Sequence, residues 1–87
     1  MTEIASLNVK TSTPGGGGRT ATFAVHDDGT VTRKITSVDG RAVDYKPTPI
    51  RHMNEAERRV NLDDGLSALG FLLGVIQAEP EDWTVAQ

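Results

Sequence analysis

Apolar and polar residues alternate through the first half of the chain and run together in the second, a pattern that predicts strands followed by helix. Ala21, Phe23 and Val25 alternate with Thr20, Thr22 and Ala24, which places one apolar row on a single strand face. Val31 and Ile35 continue that row beyond Asp28-Gly29, and Val43 and Tyr45 continue it beyond Asp39-Gly40 in a strand expected to end at or before Lys46-Pro47. Asp-Gly pairs accept the positive φ angles of tight hairpin turns, so these segments are predicted to fold back on one another. Ala5, Leu7 and Val9 within Ile4 to Thr11 predict a fourth strand. The intervening Thr13-Pro14-Gly15-Gly16-Gly17-Gly18 reads as a flexible hairpin loop. A β-patterned segment follows it, and the Lys-Ser/Thr ending of a phosphate-binding loop is missing.

Pro47 and Pro49 predict an extended connection, because proline removes amide donors and disfavours helix at the preceding residue. Asn54 followed by Glu57 has the spacing of a capping box and predicts a short helix through Val60, with an edge strand from Glu57 to Leu62 as the alternative. The main helix is expected to start around Asp63 or Asp64, whose carboxylates suit the positive end of a helix. At 100° per residue Leu62, Leu66, Leu69, Leu73 and Ile76 fall on one stripe, predicted to face the sheet. Phe71, Leu72 and Val75 widen the apolar region, while Ser67, Gly70 and Gly74 line a neighbouring small-residue face. Glycine costs a helix interior about 1 kcal/mol relative to alanine, so two of them imply either a weak helix or close approach by another backbone, within the subunit or in a dimer. Ser67, Gly70, Phe71, Gly74 and Val75 are therefore the expected interface of a homodimer.

The resulting architecture is α+β in two layers: a four-stranded antiparallel β-meander packed against a C-terminal α-helix, with a short preceding helix or strand. One small domain of 87 residues divides into the meander (1–46), the proline-containing connection (47–53), the helical region (54–78) and an acidic tail (79–87).

Charge is distributed unevenly. All nine Lys and Arg residues and seven acids precede Asn61, a balance of +2, whereas five acids and no base follow it, a balance of −5. The two parts attract each other, which allows the tail to dock on its own sheet or on a neighbour's. Acids beyond a helix C-terminus oppose the helix dipole, so local stability does not account for Glu79-Pro80-Glu81-Asp82-Trp83. Trp83 joins a large apolar area to an indole donor, a chemistry enriched at binding hot spots; the first reading is that it folds back over the small core, the second a partner contact, and both hold if the tail packs across a dimer. Glu79, Glu81, Asp82 and Trp83 are the expected partner-binding residues.

The chain contains no cysteine, which removes disulfides, thiolate nucleophiles and cysteine metal sites together. Met1 to Leu7 lacks the basic region and apolar run of a secretory signal, and the uninterrupted apolar stretch falls short of the roughly 20 residues of a membrane-spanning helix, so a cytoplasmic location without a membrane is expected. His26-Asp27-Asp28 resembles a metal ligand set, but the turn already accounts for its acids. His26 and His52 belong to no catalytic pairing, and Ser6, Ser12, Ser37 and Ser67 lack an activating context. No catalytic residue, metal ligand or cofactor is predicted. The function expected is a non-enzymatic module that occupies a surface on a larger protein. Small inhibitors encoded by phages or mobile elements are similar in size and charge, without a shared motif. The alternative is a nucleic-acid-binding domain using Lys10, Arg33, Lys34, Arg51, Arg58 and Arg59, with the acidic tail as an intramolecular competitor.

Overall fold

The computed structural model describes residues 2–11 and 17–85, so Thr13 to Gly16 of the glycine-rich loop lie outside the described residues. The strands are β1 (Glu3–Lys10), β2 (Arg19–His26), β3 (Thr30–Val38), β4 (Arg41–Ala42), β5 (Thr48–His52) and β6 (Thr84–Val85); the helices α1 (Glu55–Asn61) and α2 (Gly65–Gln77) lie between β5 and β6 in sequence. The sheet is antiparallel at every pairing, in the order β4-β3-β2-β1-β6, with β5 also on β3.

Both Asp-Gly pairs turn hairpins. Val38 pairs with Arg41 across Asp39 and Gly40, which take φ values of 52° and 81°, so the connection has the two left-handed residues that match strand twist. The other connection has three residues and ends on Gly29 at φ 89°, with Asp28 Oδ1 accepting from Thr30 N at 2.9 Å. Gly29 also lies under the Arg58 stem, since an added Cβ would stand 3.1 Å from Arg58 Cγ and Cδ.

The expected four-stranded meander is corrected to a six-stranded sheet. The return from Asp39-Gly40 leaves the ladder after Val43 N donates to Thr36 O at 3.1 Å, and it rejoins β3 as β5 from Thr48. Pro49 sits in this strand because β5 lies on the outer edge, where a missing N–H removes no ladder bond. The second addition is β6, which pairs Val85 with Val9 and Thr84 with Lys10.

One face of the sheet supplies Val9, Ala21, Phe23, Val25 and Val31 to the core, and α2 meets them with Ala68, Leu72, Val75 and Ile76; Met53 and Trp83 complete the cluster. Of the stripe expected to face the sheet Ile76 reaches the core, but its four leucines are turned away by about 100°, one residue step on a helix. Leu66 is 83% exposed and Leu62, Leu69 and Leu73 are only partly covered. A helix apolar on nearly all sides does not define its own inward direction. Met53 and Trp83 occupy part of the space over the sheet, and that filling is invisible in the helix pattern.

The short helix forms as the capping box predicts. Asn54 Oδ1 accepts from Glu57 N at 2.8 Å, and Glu57 Oε1 accepts from Asn54 N at 3.0 Å. Asp64 caps α2, its Oδ1 accepting from Ser67 N at 2.7 Å. No described helix is long and apolar enough to cross a membrane.

Candidate protein interface

Thirteen residues of α2, Gly65–Gln77, include no charged side chain, although only one side of the helix is buried. The solvent side carries Leu66, Gly70, Leu73 and Gly74, with Leu69 at its margin. Gly70 and Gly74 are open: a Cβ built on either meets nothing within 4 Å. Their absence of side chains is therefore not required by packing inside the subunit. It leaves a shallow notch beside Leu66 and Leu73. Val60 on α1, 67% exposed, adds a further apolar side chain on the neighbouring helix.

The five residues expected at a dimer interface divide into three groups. Gly70 and Gly74 face solvent. Ser67 is part-buried and engaged by the α2 cap, its Oγ donating to Asp64 Oδ2 at 3.3 Å. Phe71 and Val75 turn inward, Val75 into the core at 7% exposure and Phe71 against it. Arg51 covers the Phe71 ring, with its guanidinium carbon 4.6 Å from the ring centroid, and is itself held by Glu57 at 2.6 Å. Leu66 and Leu73, assigned to the sheet by periodicity, stand where the solvent-facing surface is.

The tail folds back on its own subunit. Trp83 is 9% exposed and meets Phe23 edge-on, with centroids 5.7 Å apart and planes at 74°. Arg19 lies over the indole at 5.4 Å and donates to Glu81 Oε1 at 3.1 Å. Arg33 pairs with Glu79 at 3.8 Å. Three of the four expected partner-binding residues thus have intramolecular contacts, and Asp82 remains exposed. The hydrogen bond from Arg19 holds the Glu81 carboxyl below its usual value. Two buried atoms of this strap, Glu81 Oε2 and Trp83 Nε1, have no hydrogen-bond partner among the described residues. Beside it lies an open cleft of about 420 Å³ between Arg19, Val38, Asp39, Glu81 and Asp82.

The remaining polar candidates are dispersed. His26 Nε2 contacts Thr32 Oγ1 at 2.9 Å, and His52 Nδ1 contacts the Met53 carbonyl at 2.8 Å. Asp28 serves the hairpin, and the Thr30 amide holds its carboxyl below the usual range. Among the described residues no group of three or more His, Cys, Asp and Glu side chains is placed to hold a metal.

Sequence reasoning missed β6 and the seating of Trp83 on Arg19. The charge asymmetry pointed toward both, since an acidic tail and a basic strand region attract. Comparison of the chain with protein-family models, with curated proteins and with solved structures returns no match.

Proposed function

We propose that this chain is a non-enzymatic protein-binding module, of the inhibitor type encoded by phages and mobile elements, that works in the cytoplasm by occupying a surface on a larger protein. The solvent side of α2 is the contact surface, and in the free protein the same side pairs with a second copy. One observation carries the reading: an uncharged helix presents Leu66 at 83% exposure beside the open Gly70 and Gly74 notch. Fully burying a leucine stabilises by about 1.5–3 kcal/mol, so Leu66 and Leu73 alone supply a useful contact core. The lack of charge on this side lets two copies approach without repulsion despite a net charge of −3. The strap places its own acids against Arg19 and Arg33, which leaves the helix as the freer apolar surface.

The test is affinity capture from the native host with wild type and Leu66→Glu in parallel. Residue 66 lies in the first turn of α2, where an acid suits the helix dipole, so the variant is expected to fold. A protein retained by wild type and lost with the variant is the expected result. Identical capture by both would contradict the assignment.

A further inference from the structure

The face of the sheet opposite α2 has a different chemistry from the rest of the molecule. Alternation turns Asn8 and Lys10 of β1, Thr20, Thr22, Ala24 and His26 of β2, and Thr32, Lys34 and Thr36 of β3 away from the core rows. Two hollows lie on this face. One, of about 290 Å³, is floored by Ala24 and flanked by Thr22, Lys34 and Thr36; the other, of about 260 Å³, is flanked by Lys10, Thr20 and Ser37. They adjoin where the Thr20 and Thr36 hydroxyls meet at 2.8 Å, so the pair forms one trough, with Lys10 opposite Thr20 and Lys34 opposite Thr22 on its two flanks and Glu3 and His26 at its far end.

Three arginines hold acids of the tail and of α1, and Arg19 among them also borders the smaller hollow. Arg19, Arg33 and Arg51 are ion-paired on the helix side with Glu81, Glu79 and Glu57. Lys10 and Lys34 form no ion pair among the described residues, and the one acid lining either hollow is Glu3, at the His26 end. Tyr45, 54% exposed, stands two residues before Pro47, which walls the larger hollow. Glu79 and Glu81 are held on the helix side by Arg33 and Arg19, while Thr84 of β6 pairs with Lys10 and borders the trough along β1.

We propose that this face binds single-stranded nucleic acid, with Lys10 and Lys34 on successive backbone phosphates, threonine hydroxyls on phosphate and sugar oxygens, and Tyr45 stacked on a base. Two separated ammonium groups joined by a line of hydroxyls suit an extended polyanion better than a point anion. This site is independent of the α2 surface, and each can fail without the other.

The test is fluorescence anisotropy with a labelled single strand of about 12 nucleotides across roughly 20–200 mM salt. Two phosphate contacts predict a log–log salt slope of about −1.4. Lys10→Ala with Lys34→Ala should weaken binding about tenfold or more and flatten that slope, and Tyr45→Ala should weaken it at least about fivefold, the scale of one stacked base. Arg58→Ala, an exposed cation beyond the trough, should change little. Absence of saturable binding at the lowest salt would overturn the proposal. So would binding that survives the double lysine replacement, that responds equally to Arg58→Ala, that favours duplex, or that inorganic phosphate displaces at matched ionic strength.

Discussion

The acidic tail and the solvent side of α2 adjoin one another at Gln77, yet the molecule uses them in opposite ways. The tail is polar in composition and largely occupied: Trp83 enters the core, Glu79 and Glu81 find arginines, and β6 extends the sheet. The helix is apolar in composition and partly unoccupied, with Leu66 and the two glycines in solvent. Composition points the right way for the tail, whose acids meet the basic residues that precede Asn61, and misleads for the helix. What decides is where complementary partners already exist within the subunit: basic residues for the tail and, among the described residues, none for the second side of the helix.

Replacing single residues on the two sides should expose this contrast. The largest effect is expected from Trp83→Ala, which removes an indole from the Phe23 contact and should cost about 3–5 kcal/mol in urea denaturation. A loss near zero would mean the tail is a surface appendage. Next come two leucines on opposite sides of one helix. Leu72→Ala should destabilise by about 2–5 kcal/mol, whereas Leu66→Ala on dilute protein should change stability by less than about 0.5 kcal/mol. Equal losses would place the helix in the orientation its leucine periodicity suggests.

That orientation marks the limit of what the residue pattern conveys. The strands around Phe23 and Val31, both Asp-Gly turns and both helix caps were legible because each depends on local rules of alternation, left-handed φ and carboxylate or amide capping. The two added strands were not. Thr48–His52 carries Pro49 and follows Pro47, which argue against a strand until its position on an edge is known, and Thr84–Val85 is too short to signal itself. Of the candidate surface, Gly70 and Gly74 were identified from sequence, while Phe71 and Val75 were assigned outward and lie inward. The inward direction of α2 depends on Met53 and Trp83, long-range neighbours that no helical period encodes.

Smaller effects sharpen the contrast further. Gly70→Ala and Gly74→Ala should each stabilise the monomer by about 0.5–1 kcal/mol, since helix propensity improves and the added methyl meets no atom. Destabilisation would indicate an internal packing role. Glu81→Gln should cost about 0.5–1 kcal/mol at neutral pH, the scale of a partly exposed ion pair. Because the Arg19 bond lowers the folded-state pKa of Glu81, its contribution is fully present above the unfolded value near 4.5 and is lost as pH falls through the folded value. The difference between wild type and Glu81→Gln should therefore shrink on acidification below that point. A difference that grows instead would reverse the sign of the linkage.

Sedimentation equilibrium of wild type and Leu66→Glu across micromolar concentrations addresses the assignment of α2 most directly. Reversible dimerisation of the wild type is expected, with a monomeric variant whose far-ultraviolet circular dichroism spectrum is unchanged. A wild type that remains monomeric throughout, or a dimer that tolerates a carboxylate at residue 66, would contradict it.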